Sequence, residues 1–219
     1  ELPGMKMLDA GVGAGRTSVY FAPLVKAYAA FDASPNMVLA ARRLVGDYVD
    51  PEVFAEGDIR RMPFPDAAGF DFVLISYNTI DCVSERERQS VLSEVRRVLK
   101  PGGRFCFSSH NLESLTVRGA RGMREFLKRV RRYRLLAAAN ENLSAARSMD
   151  RAMIRDASTD YRIPIYYIGP CAQIRQLEAA GFTDVQVFSL NSGREIDPRE
   201  PDVRFTDSWL YYLCRSGKG

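Results

Sequence analysis

Histidine occurs once in this 219-residue chain, as His110, and tryptophan also occurs once. Cysteine is sparse: Cys82, Cys106, Cys171 and Cys214 are widely spaced and form no C-x-x-C pair. That spacing argues against a disulfide framework, and no metal site is expected. Two of the four fall in strand-like segments, as buried free thiols in a reducing compartment do, so a cytoplasmic protein is expected. No apolar run approaches the ~18 residues of a membrane span, no signal peptide opens the chain, and no membrane partner is expected. A formal charge of +4 is too small to imply nucleic acid by itself. Internal repeats and low-complexity linkers are absent. The chain opens on Glu1 rather than methionine and reaches its first strand almost at once, so an N-terminal segment is expected to be missing.

What is present suits one α/β domain spanning residues 1–219, long enough to bury a proper core. Strand and helix patterns alternate through the first half. "KMLDA" (6–10) reads as a strand, 15–25 as a helix, "KAYAAFD" (26–32) as a strand, and Ser34-Pro35 as the start of a helix through about 47. "VFAEGD" (53–58) and "FDFVLISYN" (70–78) follow as strands, then a helix over 85–99 opened by a Ser84/Glu87 capping box, and "RFCFSSHN" (104–111) as a fifth strand. Apolar strands separated by helices predict a parallel sheet covered on both faces. Residues 112 to about 160 read as a largely helical, polar insertion. Strand language returns in "IPIYYIG" (163–169) and near 183–190 and 205–214, with a helix over 171–180 between them.

The chemistry begins in "KMLDAGVGAGRTSVYFA" (6–22), where an apolar strand runs into an acid and three glycines. Such a loop, at the carboxyl end of a strand in an open parallel sheet, is where ligands bind. Asp32 closes the next strand, 17 residues beyond Gly15, well placed to accept hydrogen bonds from both ribose hydroxyls of a nucleotide-like cofactor. A dinucleotide fingerprint G-x-G-x-x-G would need glycine at 16, where Arg16 stands.

The actual pattern, D-A-G-V-G-A-G, resembles the class I S-adenosylmethionine (SAM) dependent methyltransferases. "AEGDIRRMPFPDAAGFDFVLISYN" and "VLSEVRRVLKPGGRFCFSSHN" extend the resemblance over residues 5 to 111. It implies a three-layer, Rossmann-like sheet of about seven strands with an antiparallel C-terminal hairpin, SAM as cofactor and S-adenosylhomocysteine as product. In that reading Asp9 meets the SAM ammonium directly or through water, Gly11, Gly13 and Gly15 let its amino-acid portion approach the backbone, Asp32 holds the ribose, and Ala33 belongs to the same cofactor-binding set. Asp58 accepts from the adenine amine while Met37 and Ile59 pack the ring, plain core packing being the alternative for those two. Ser76, Tyr77 and Asn78 line the methyl-transfer mouth. Family members commonly carry a helical segment before the first strand, which is expected to be absent or truncated here.

On the acceptor side, His110 ends the fifth strand and is either a general base or a strand-end residue that orients the next loop. Asp81 reads as a cap for the following helix region, or as a contact for a cationic acceptor. Tyr161, Tyr166 and Tyr167 read as packing in a half-buried strand, with Tyr166 and Tyr167 as candidates for positioning an amine acceptor beside Tyr77. Between Arg118 and Arg134 lie eight basic residues and one acid, Glu125. Met123, Phe126, Leu127, Val130 and Tyr133 share a helical face there, which predicts a lid packed by its apolar side with arginines in water. An acidic small molecule or peptide is the second reading of that surface and RNA the third. The expected activity is methyl transfer to O or N of a small metabolite, natural product or peptide. RNA methylation and a non-catalytic nucleotide-binding module are the alternatives.

Overall fold

The computed structural model describes residues 2–46, 50, 53–66, 68–116, 120, 122–200 and 207–217. The first half alternates as the pattern predicts: β1 (Lys6–Ala10), α1 (Ser18–Phe21), β2 (Ala27–Asp32), α2 (Pro35–Val45), β3 (Phe54–Glu56), β4 (Phe70–Ile75), α3 (Glu85–Val98) and β5 (Leu99–Asn111). After it come α4 (Met123–Ala139), α5 (Leu143–Ala146), β6 (Arg151–Arg155), β7 (Pro164–Ile168), α6 (Pro170–Ala179), β8 (Phe182–Ser189) and β9 (Trp209–Ser216). Among the described residues no helix is long and apolar enough to cross a membrane.

The strands form one sheet in which β3-β2-β1-β4-β5 run parallel. Beyond β5, β9 pairs antiparallel with it over Arg104 to His110, and β8 pairs antiparallel with β9. This is the C-terminal hairpin the sequence predicts. Successive residues of a strand point to opposite faces, and here both faces are dry. Leu8, Phe31, Val73 and Val91 lie in one core, while Met7, Ala30, Val38 and Leu74 lie in the other. Near-continuous apolar strands are the sequence signature of that double burial. Strand order reverses between β1 and β4, so the chain leaves their carboxyl ends in opposite directions and opens a crevice there.

Two expectations need correction. The sheet has nine strands rather than about seven: eight segments read as strands, and the stretch expected to be helical up to about 160 contains a ninth, β6. This strand pairs antiparallel with β7, which itself pairs with the last two residues of β5 (His110↔Tyr167, Asn111↔Ile168). In β6 only Ile154 is buried, between arginines at both ends, so no apolar run announced it. The second correction is the face of α4. Met123, Phe126 and Leu127 are exposed (70%, 42% and 59%), whereas Tyr133 and Leu136 turn inward to the cluster with Leu112, Leu143 and Ile154. Arg129 shares that inward stripe, capped by Glu125 at 2.8 Å, and a partnered arginine there makes the stripe look polar in sequence. Arg118 and Arg121, counted in the basic run, lie outside the described residues.

Helix α3 carries the interaction that fixes the crevice wall. Its capping box is formed as expected, with Ser84 Oγ accepting from the Glu87 amide and Glu87 from the Ser84 amide. One turn on, Arg88 is fully buried. Its guanidinium donates to Asp81 Oδ1 at 2.6 Å, the Ile80 carbonyl at 2.9 Å, and Gln173 and Gln176 of α6 at 2.6 and 3.0 Å. Removing one member of a buried pair strands the other's charge and costs about 3–5 kcal/mol. Arg88→Met is therefore expected to lower unfolding free energy by that amount in urea, against about 1 kcal/mol for loss of the cap in Ser84→Ala. An Arg88→Met protein within 1 kcal/mol or so of wild type would mean that Asp81 is neutralised some other way.

Candidate active site

The glycine loop crosses the end of β1. Gly11 and Gly15 have φ of +76° and +86°, the left-handed region that disfavours side chains. Space forbids them too: a Cβ on Gly11 would lie 2.6 Å from Thr79 Cγ2, and one on Gly15 3.0 Å from the Ala41 Cα. The loop is tied to β2 through Asp32, whose carboxylate accepts from the Gly13 amide and the Ser34 amide, each at 2.9 Å. Ser34 therefore opens α2 without a side-chain cap bond. Asp32 stays half-buried at the rim, with carboxylate lone pairs beyond those two bonds.

Asp9 is wholly buried beneath this loop. One oxygen accepts from the Thr17 hydroxyl and from the Tyr28 hydroxyl. The other, Oδ1, has no hydrogen-bond partner. Burial pushes the Asp9 pKa up to about 6, against the pull of those two hydroxyls and with a further push from the Asp32 charge.

The rest of the implied cofactor set is unevenly placed. Ala33 is exposed, and so is Met37 at 44%, which removes plain core packing as its role. Ile59 is buried in the main core, where core packing does describe it. Asp58 does not stand free: the Arg60 guanidinium takes both its oxygens at 2.6–3.0 Å and holds its carboxyl below the usual range.

Beyond β4, Ser76 is buried while Tyr77 and Asn78 adopt φ of 51° and 58°. Two successive non-glycine residues in left-handed conformation cost energy that neighbours must offset. Here the Asn78 amide donates to Ser108 Oγ at 2.9 Å and the Thr79 hydroxyl to the Ser76 carbonyl at 2.9 Å. Tyr77, half exposed, meets Trp209 edge-on at 5.9 Å, and the Arg16 guanidinium lies 4.0 Å from its ring centre. Arg16 and Tyr77 thus join the two loops that leave β1 and β4.

His110 lies at the end of β5 on the same rim. Its Nδ1 is 2.8 Å from Asp81 Oδ2, its backbone N–H donates to that same oxygen at 2.6 Å, and Nε2 is 3.3 Å from Asn78 Nδ2. Its ring is 4.7 Å from that of Tyr167 and 6.3 Å from that of Trp209. Asp81 is no helix cap and faces no acceptor: it is buried, held by Arg88 and by the Ser109 hydroxyl at 2.7 Å. The tyrosine hydroxyls expected near an acceptor are buried instead. Tyr167 donates to Asp156 at 2.5 Å, and Tyr166 accepts from Gln176 at 3.4 Å with its ring against Arg88. Neither hydroxyl is available to position a substrate. The expectation missed Arg16, Arg88 and Trp209. Only Arg88 had a readable signal, an arginine on the apolar stripe of α3 with Val91, Leu92 and Val95.

Residues 7–103, from β1 and the glycine loop through α3 into the start of β5, match a family described as a methyltransferase domain. That segment is a methyltransferase domain, and the fold of the chain is that of the SAM-dependent methyltransferases. It is 34% identical over 106 residues to the uncharacterized methyltransferase YcgJ of Bacillus subtilis (strain 168), covering 48% of this chain and 40% of that protein. A demethylmenaquinone methyltransferase of Clavibacter sepedonicus is 38% identical over 103 residues, covering 47% and 40%. These matches span less than half the length of the relatives. An S-adenosylmethionine dependent methyltransferase of Mesorhizobium loti has the same fold, with a TM-score of 0.65 at 15% identity over 98% of this chain and 92% of that one. A SAM-dependent methyltransferase of Methanosarcina mazei superposes with a TM-score of 0.64 at 16% identity, over 100% and 95%.

The residues present fit the superfamily's cofactor. A buried carboxylate oxygen without a donor suits an ammonium, and the half-buried Asp32 suits a ribose. Asp9 also makes its own prediction. Its folded pKa is raised from 3.8 to about 6, so its share of stability is complete below about pH 4 and is lost as pH rises through 6. The stability of Asp9→Asn relative to wild type is expected to climb by about 2–2.5 kcal/mol between pH 4 and 7.5. Urea titrations at the two pH values read this directly, and a gap that stays flat with pH would contradict the raised pKa.

Proposed function

We propose that residues 1–219 form one catalytic domain that moves the methyl group of SAM to an O or N atom of a small metabolite, natural product or peptide. The observation that carries the reading is the unpartnered, buried Asp9 Oδ1 beneath a glycine loop that Asp32 ties down. Bound SAM supplies a methyl already activated by its sulfonium, so the protein's task is positioning and exclusion of water. Asp9 accepts from the ammonium, the Gly11–Gly15 backbone lies along the amino-acid portion, and Asp32 holds the ribose. Met37 offers an exposed apolar face to the adenine, and Asp58 accepts from its amine alongside Arg60. Tyr77, with Arg16 against it, screens the mouth from water. The insertion over 112–160 selects the acceptor. The four free thiols favour a reducing compartment, the cytoplasm.

A second reading rests on α4, which turns Arg124, Lys128, Arg131 and Arg134 outward together with Met123 and Leu127. An acidic peptide or an RNA backbone would suit that surface. Methyl-tritiated SAM supplied with extract from the source organism separates the readings. Label in small-molecule or peptide fractions is the expected outcome, and RNase-sensitive label would transfer the function to RNA.

Calorimetry with SAM tests the site by itself. An ammonium favours ionised Asp9, so SAM affinity is expected to fall as pH drops through about 6 in wild type and to stay level in Asp9→Asn. Loss of the Asp32 bonds in Asp32→Ala is expected to weaken SAM about 10–100-fold, the equivalent of about 1.5–3 kcal/mol for charged hydrogen bonds. No SAM binding by the wild-type protein would end this reading.

A further inference from the structure

We infer that Asp81 is a positioning residue that fixes His110 as the proton acceptor for a hydroxyl-bearing methyl acceptor, with the Asn78 amide accommodating either protonation state. The inference rests on the methyl-transfer reading for its chemistry but not for its geometry.

Three contacts on Asp81 are donors whatever the state of the His110 ring: the Arg88 guanidinium, the Ser109 hydroxyl and the His110 backbone N–H. Oδ1 takes Arg88 Nη1 and the Ser109 hydroxyl, and Oδ2 takes the His110 backbone N–H at 2.6 Å and the ring at 2.8 Å. A carboxylate facing the buried Arg88 guanidinium serves as an acceptor, which is why the inferred arrangement gives the hydrogen to His110 Nδ1. In the neutral imidazole Nε2 is then the bare lone pair. The ring is pinned by Asp81 on one edge and by Tyr167, itself tied to Asp156, against one face. Its side chain remains 14% exposed, enough to exchange a proton with solvent.

Asn78 completes the arrangement. Its Nδ2 points to Nε2 at 3.3 Å, a long and readily displaced bond, while Oδ1 is buried without a partner. A half-turn of the amide exchanges the two atoms. The nitrogen serves the neutral ring, and the oxygen would accept from Nε2–H once the ring is charged. This turn also touches the cofactor loop, since Thr79, next to Asn78, fills the space that a Gly11 side chain would need.

The step balances. The acceptor hydroxyl gives its proton to Nε2 as its oxygen forms a bond to the methyl carbon. The electron pair of the methyl–sulfur bond stays on sulfur. One positive charge is lost at sulfur and one appears on the imidazole, beside ionised Asp81. A neutral amine attacks through its own lone pair and loses its proton afterwards, so a base fixed in advance matters most for a hydroxyl.

His110 is the only histidine, so a uniformly 15N-labelled protein yields one pair of imidazole nitrogens in a long-range 1H–15N correlation. At mildly alkaline pH, Nδ1 is expected to be protonated and Nε2 bare, in wild type and in Asn78→Ala alike. In Asp81→Asn the Nε2–H tautomer is expected to become the major one. A wild-type ring with hydrogen on Nε2, a folded Asp81→Asn protein with unchanged tautomer, or an Asn78→Ala protein that switches tautomer would each overturn the inference. Should Asp81→Asn fail to fold, with Arg88 left unpaired, the wild-type and Asn78→Ala spectra still decide. SAM calorimetry on the labelled sample tests the methyl-transfer reading separately. Binding with the wrong tautomer removes Asp81 alone, and the right tautomer without binding removes the methyl-transfer chemistry and with it the inferred proton step.

Discussion

Two carboxylates without access to water stand at the edge of one crevice, and only one of them has a cation built in. Asp81 is closed off by Arg88, which is as deeply buried as it is. Asp9 has two hydroxyls on one oxygen and nothing on the other. A buried charge without a partner is expensive, and the rise of the Asp9 pKa to about 6 measures that expense. The fold leaves that cost standing beneath the glycine loop and removes it beside His110, where Arg88 pairs with Asp81. Other features of the site follow from this difference. Arg88 ties α3 to α6, while the Asp9 side is left to glycine backbone and small polar groups.

Strand order explains why the segments that carry the two acids border one opening. β1 and β4 pair in register through Met7↔Phe72 and Asp9↔Leu74, but the next strand after β1 lies on its far side. The loops after β1 and β4 therefore diverge around an opening instead of crossing it. Gly11 lets them approach at Thr79, and Arg16 reaches back across to Tyr77. The crevice is a consequence of topology, and its chemistry is a consequence of which residues end those strands.

The cofactor half was legible because its constraints are local. Acid, glycines at fixed spacing, and a second acid at the next strand end all follow from one short loop and its neighbour. Ser84 and Glu87 announced α3 for the same reason. The acceptor half depends on contacts between residues far apart in sequence. Asp81 read as a cap because local chemistry offered nothing better, while its partners Arg88, Ser109 and His110 come from α3 and β5. β6 escaped notice because it buries only Ile154. The face of α4 misled because hydrophobicity at helical spacing was clearest on the exposed side, and the buried stripe ran through Glu125 and Arg129. Periodicity reports which face is apolar, and burial follows only when the remaining surface supplies a partner.

Solvent access along the rim then orders the roles. Asp32 is half-buried with two backbone amides on it, suited to a ligand that binds and leaves. Asp9 is sealed under the loop, where its charge acts over a short distance with little screening. His110 lies between these extremes, its ring wedged by Tyr167 yet not sealed, with one nitrogen committed to Asp81 and the other held only by a long bond from Asn78.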